Sequence, residues 1–368
     1  MGIPTARNGK IDLLRFIFSI CVVLNHAKYI MPDKTHANLF SGYSLAVEFF
    51  FLVSGYLMMA SIEKAEKVSA LSLGRETGAF LLKKFKALYP EVAISYLVTA
   101  IVTAVATGTA FTSVLGASWF EGFLLISTGL FKSKIMLVSW YASSMILCMA
   151  LLYPLLRKYK DMALRVILPI LAVVILGWLY QNYGSIKGPM KWTGITIKGN
   201  FRALAELSLG ALCYCATKKL KELDFTAFGK VLLAVVELGI YAVYILYMAK
   251  FASGLRDLMM LPLLGIAVII TFSGKSFGHE IFNNRVCTFL GKYSLSICFS
   301  HYVFCHRIGN LLPFFNDLGW KRRLVVYVAT AFVVGLIVML VSNLIRKFGP
   351  KIGAGFKKLM TKEAPAEN

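Results

Sequence analysis

Residues 11–30 read IDLLRFIFSICVVLNHAKYI, an apolar run of the length that crosses a bilayer, yet it carries Asp12, Arg15 and His26. Charge in hydrocarbon is costly, so such side chains require a protein interior or a water-filled cavity. Their spacing puts them together. At about 100° per residue, Asp12, Arg15, Ser19 and His26 fall within about 60° of one another, on one helical stripe. From Arg15 to His26 the helix rises roughly 16 Å, so one polar seam joins the inner part of the membrane to its outer part.

The remainder of the chain has the same character. Of its 368 residues, 58% are hydrophobic and only 16% charged, and the mean hydropathy is +0.70. This excludes a soluble globule and predicts an all-α integral membrane protein. About ten transmembrane helices are expected, near 11–30, 44–62, 88–110, 136–156, 164–182, 200–217, 229–250, 257–273, 289–306 and 324–345. A further apolar piece, 118–131, is short for a crossing and reads as a re-entrant or interfacial helix. With ten spans, the lysines and arginines concentrate on the side of the N-terminus, so both termini are expected in the cytoplasm. Residues 1–350 read as a single transmembrane domain, and 351–368, ending TKEAPAEN, as a partly disordered cytoplasmic tail.

The net charge of +22 would suggest nucleic acid in a soluble protein. Here the basic residues lie between spans, which points to topology and membrane lipid instead. The seven cysteines form no CxxC pair and no disulfide framework, and they read as apolar filler. His301 and Cys305 share a helix face, but nothing else is spaced to complete a metal site, and no metal is expected.

The second span, SLAVEFFFLVSGYLMMAS (44–61), holds one acid, Glu48. Gly55, seven residues on, shares its face, so a glycine groove would let another helix approach the carboxylate. A buried glutamate beside His26 would orient the imidazole and raise its basicity; a structural ion pair with Arg15 is the plainer alternative. Arg202 and Glu206 form an i,i+4 pair at the end of a later span, open to either a structural or an acceptor-binding role.

These residues resemble a family. Asp12-Leu13-Leu14-Arg15 followed by His26 is similar to the first-helix signature of the acyltransferase family 3 membrane proteins. Glu48-Phe49-Phe50-Phe51 with Ser54-Gly55-Tyr56 resembles its second helix, and Tyr89-Pro90 after a basic stretch resembles the start of its third. Trp140-Tyr141 with Tyr153-Pro154, Arg202 with Gly210, and Leu290-Gly291-Lys292-Tyr293-Ser294 before His301 follow in the family's order. The chain departs from the pattern where Lys83, Lys84 and Lys86 precede Ala87, a stretch usually richer in arginine, and where Ser143, Ser144 and Met145 replace paired acids found in one branch.

The resemblance implies transfer of an acyl group, most often acetyl, from cytosolic acyl-CoA to a hydroxyl of a cell-envelope polysaccharide or glycolipid, in a bacterial cytoplasmic membrane. His26, Glu48 and Arg15 would form the catalytic core, with His26 as general base or transient acyl carrier. Asp12, Ser54, Trp140, Arg202 and His301 would contact substrate, and Lys83, Lys84 and Lys86 the phosphates of acetyl-CoA. The rival reading is a polytopic transporter or flippase of an envelope precursor. Transporters often show inverted repeats, and none is visible here.

Overall fold

Asn8 starts the first helix: its side chain accepts from the Ile11 N–H at 3.1 Å, while its amide donates to Thr271 O at 3.1 Å. The computed structural model describes residues 8–250 and 254–362. It is 84% helical, and no strand occurs among the described residues. In order, the helices are α1 (Gly9–Ala27), α2 (Lys34–Asn38), α3 (Ala46–Val68), α4 (Leu73–Thr107), α5 (Phe111–Gly122), α6 (Trp140–Lys158), α7 (Lys160–Met162), α8 (Leu168–Tyr183), α9 (Lys198–Glu222), α10 (Ala227–Lys250), α11 (Leu255–Ser273), α12 (Arg285–Ser300), α13 (Tyr302–Leu311) and α14 (Trp320–Lys362).

Among the described residues, eight helical stretches are long and apolar enough to cross a membrane. The chain is an all-α integral membrane protein. Apolar side chains such as Val173, Val235 and Val333 face outward, as a lipid-facing surface requires. The segments expected to span at 200–217 and 289–306 are helical but do not meet that standard. They are α9, which carries Arg202, Glu206 and a lysine-rich end, and the pair α12 and α13, which meet at His301. Both pack inside: α9 against α3, α6, α8 and α11, and α12 against α1, α4 and α14. These two segments, among them the polar helix α9, are thus covered by neighbouring helices on several sides.

Glycines set these central contacts. A Cβ at Gly55 would lie 2.1 Å from Leu207 O, and one at Gly210 would lie 2.2 Å from Leu52 O, so α3 and α9 touch backbone to backbone. The groove expected at Gly55 is thus filled by α9. On the other side of the core, a Cβ at Gly291 would lie 2.5 Å from Asp12, which fixes α12 against α1.

Two boundaries differ from expectation. The short helix is α5, 111–122 rather than 118–131; its twelve residues rise about 18 Å, less than the roughly 30 Å of a hydrocarbon core. The chain after it is irregular because the buried Glu121 carboxylate captures the backbone N–H groups of Lys134, Ile135 (2.9 Å) and Met136 and the Ser133 hydroxyl (3.1 Å). A loop so pinned satisfies its own polar groups and needs no helix. At the other end α14 continues to Lys362, so residues 351–362 of the expected tail are helical, and 363–368 lie outside the described residues.

Candidate functional site

A cavity of about 1000 Å³ runs beside α1. Arg15, His26, Ser54, Lys84, Trp140 and Arg202, six of the residues singled out in the sequence, line it. Arg15 and His26 lie on the same helix, so the cavity follows the polar seam over roughly 16 Å. Its walls carry eight lysines and arginines and one carboxylate, Glu91.

His26 stands near one end. Its Nδ1 lies 3.0 Å from Val22 O and 3.0 Å from His301 Nε2. The opposite ring nitrogen of His301, Nδ1, is 2.9 Å from Ile297 O. A carbonyl only accepts, so the His301 Nδ1 is the protonated nitrogen and its Nε2 is an acceptor in the neutral ring. The same logic then puts the His26 proton on Nδ1, where both neighbours accept. The lone pair of neutral His26 is left on Nε2. This assignment rests on the hydrogen-bond network. Tyr302 packs edge-on against the His26 ring at 5.1 Å and limits its rotation.

Glu48 does not partner His26. It is fully buried, accepts from the Tyr244 hydroxyl, and lies 3.7 Å from Arg202 Nη2. Nor does it pair with Arg15, which has Asp12 Oδ1 at 3.5 Å. The cause is the glycine groove: it brings α9 onto the face that Glu48 occupies, and Arg202 comes with it. Arg202 also donates from Nε to Glu206 Oε1 at 2.6 Å, so the i,i+4 pair expected at the end of a span is wholly buried, with a guanidinium between two carboxylates. Arg202 reaches the cavity wall and the two acids stand behind it.

Other expectations also need correction. Asp12 is 1% exposed, clamped between α1 and Gly291, and does not line the cavity; it bears on the site through Arg15. His301 is likewise fully buried and acts on the site through His26. Lys83 and Lys86 point outward, because on α4 only Lys84 takes the inward register. In their place Lys292 of the α12 motif and Arg346 of α14 join Lys84 and Arg15 at the second end of the cavity. Arg346 donates to both oxygens of Glu91 and to Ala87 O at 2.9 Å.

Ser54 and Trp140 meet the cavity as parts of its wall. Ser54 Oγ lies 3.1 Å from the Tyr141 hydroxyl, and the Trp140 ring is wedged against Gly199, where a Cβ would lie 2.7 Å away. Sequence reasoning missed Tyr244 and Arg346. Tyr244 sits inside an apolar run with no polar neighbour to mark it; Arg346 ends the last such run among residues that read only as membrane anchors. Lys292 was visible within its motif, but nothing in the motif assigns it a phosphate.

Away from the cavity, Lys10 bonds Glu237 at 2.9 Å and Ser276 at 3.1 Å beneath the start of α1. His279 lies in the connection after α11, and burial and the nearby Lys10 ammonium hold its imidazole below the usual histidine range.

A catalytic-type imidazole at one end and four cations at the other, joined by a cavity along one helix, suit a reaction between a polyanionic donor and a second substrate. Comparison with curated proteins and with solved structures gives no match. The acyltransferase domain model of acyltransferase family 3 matches residues 8–342, nearly the whole chain, and the chain belongs to that family as an integral-membrane acyltransferase.

Proposed function

We propose that the protein transfers an acyl group, most simply acetyl, from acyl-CoA to a hydroxyl of an envelope polysaccharide or glycolipid, in the bacterial cytoplasmic membrane. One observation carries the reading: His26 and the cluster Arg15, Lys84, Lys292 and Arg346 open into the same cavity. Phosphates of the nucleotide would be held at the cluster, where Arg15 offers a planar fork and the lysines point charges, with Arg346 held beside them by Glu91. The long arm of the donor would then lie along the seam, with its thioester near His26.

The chemistry follows from the ring nitrogens. The acceptor hydroxyl gives its proton to His26 Nε2 as its oxygen attacks the thioester carbonyl. The tetrahedral oxyanion collapses, the carbon–sulfur bond breaks, and the thiolate takes the proton from His26. Products are an ester and free CoA thiol, and the imidazole returns to its starting state. His301, accepting from His26 Nδ1–H, stabilises the imidazolium formed on the way. A base positioned in this manner contributes about 10²–10⁴-fold.

The test is incubation of membranes with acyl-labelled acetyl-CoA. Covalent label in a glycan or lipid fraction, lost in His26→Ala while that variant still inserts at normal levels, is expected. Near-wild-type labelling by His26→Ala would refute the mechanism, and flux of a substrate without covalent label would favour a transporter.

A further inference from the structure

Charge is shared unequally between the two ends of the cavity. At the Arg15 end, Glu91 answers Arg346. At the His26 end, Lys28, Lys187 and Lys191 line the wall, and no carboxylate lines it among the described residues there. Asp257, fully buried and outside the cavity, lies 3.6 Å from Lys187 and partly answers its charge from behind the wall. Lys28 and Lys187 are close enough to repel each other, as are Lys191 and Lys198. Like charges gathered at one mouth destabilise the protein alone and are relieved by an anion.

The lysines are presented by fixed backbone. Lys28 opens the turn Lys28–Ile30 directly after α1, two residues past His26. Lys187 and Lys191 lie in the connection between α8 and α9, which is closed by backbone bonds from Lys198 N to Lys191 O (2.8 Å) and from Gly199 N to Pro189 O (2.8 Å). The ammonium of buried Lys198 donates to Lys187 O at 2.6 Å from beneath. Around them Asn25, Tyr29, Ser41, Tyr43 and Ser44 supply aromatic faces and hydrogen-bonding groups of the kind that hold a sugar.

We infer that this end of the cavity is a subsite for an anionic group on the acceptor, a phosphate or a carboxylate of the glycan or glycolipid. Lys28, Lys187 and Lys191 hold that group while a neighbouring hydroxyl reaches His26. The inference rests on the acyl-transfer reading and narrows its acceptor. Lysines act as compact point charges rather than bidentate forks, so the site selects charge before shape.

The test uses the purified full chain in uncharged detergent with labelled acetyl-CoA. Glucose, glucuronate and glucose 1-phosphate are compared as acceptors, or as inhibitors of labelling of an envelope extract. Expected is about tenfold or tighter apparent binding of at least one charged sugar over glucose, an advantage that shrinks between about 50 mM and about 500 mM salt. The better of the two anions identifies phosphate or carboxylate as the source. Lys28→Gln/Lys191→Gln removes the advantage and leaves the KM for acetyl-CoA unchanged. This pair spares Lys187, whose loss would strand Asp257 in the interior. Equal binding of all three sugars at low salt, or a raised acetyl-CoA KM in the double variant with the sugars unaffected, overturns the subsite. Absence of any labelled product with the wild-type protein defeats the acyl-transfer reading itself and takes the subsite with it.

Discussion

His301 Nε2 sits 3.0 Å from His26 Nδ1, although 275 residues separate them in the chain. A buried imidazole, fixed by the Ile297 carbonyl one turn earlier, thereby chooses the tautomer of the imidazole in the cavity. His301 is a positioning residue in this arrangement, and its removal tests the coupling. His301→Ala should lower kcat about 10- to 100-fold with the KM for acyl-CoA unchanged, because neither ring of the pair grips the donor. His301→Gln offers an amide oxygen near the same point and should recover part of the loss, whereas a cavity-filling His301→Leu should not. Steady-state kinetics on the three variants decide it; equal activity of Ala, Leu and wild type would remove His301 from the mechanism.

Glu48 gives a second contrast. Its carboxylate faces Tyr244 and Arg202, so Glu48→Gln should keep the tyrosine bond and leave transfer within a few fold of wild type. Arg202→Ala leaves Glu48 and Glu206 buried without their cation, a change of the kind that costs about 3–5 kcal/mol. Thermal unfolding in detergent should therefore show Arg202→Ala far below Glu48→Gln. A loss of activity in Glu48→Gln as deep as in His26→Ala would mean that the glutamate reaches the imidazole after all.

The donor end makes a prediction of charge and register. Lys84→Gln/Lys292→Gln should raise the KM for acetyl-CoA about tenfold, with a steeper penalty at low salt than at high. Lys83→Gln/Lys86→Gln, equal in charge removed, should leave it unchanged because those side chains point away from the cavity. Equal effects of the two pairs would show that the helix contributes only a general positive field.

Burial of His279 next to Lys10 sets a pH limit on the fold. Its folded-state pKa lies below its ordinary value, so the unfolded chain binds the extra proton first as pH falls. The contribution is intact above the unfolded value of about 6.5 and is lost as pH drops below it. The melting temperature in detergent should fall between about pH 7.5 and about pH 5.5, and His279→Gln should flatten that decline.

How much of this was legible depends on whether a feature is written along one helix or between two. The seam from Arg15 to His26 is a matter of periodicity on α1, and the sequence shows it plainly. The α3 groove at Gly55 was visible as well, since a glycine one heptad from an acid marks a face. What occupied the groove was not visible. Glu48 meets Arg202 only because Gly55 and Gly210 let α3 and α9 touch, and no spacing within either helix encodes that register. The same holds for His301: its motif identified the helix, and only the packing of α12 on α1 turns its ring toward His26. Lys83, Lys84 and Lys86 appeared equivalent as a basic run, and the register of one long helix against its neighbours separates them.

Gly291 joins packing to chemistry and yields the last expectation. It abuts Asp12, where a Cβ would lie 2.5 Å from the carboxylate oxygen, and Asp12 holds Arg15 at 3.5 Å on the cavity wall. Gly291→Ala must push Asp12 or α12 aside; overpacking of this kind costs about 1–3 kcal/mol. Because the displaced group carries Arg15, the change should also weaken donor binding, raising the KM for acetyl-CoA with a smaller effect on kcat. Gly55→Ala overpacks the α3–α9 contact instead, where a Cβ would lie 2.1 Å from Leu207 O, and should lower the melting temperature without that selective change in KM. Measuring both parameters on both variants separates the two consequences. If Gly291→Ala and Gly55→Ala alter stability and KM in the same proportion, the path from Gly291 through Asp12 to Arg15 does not govern the donor site.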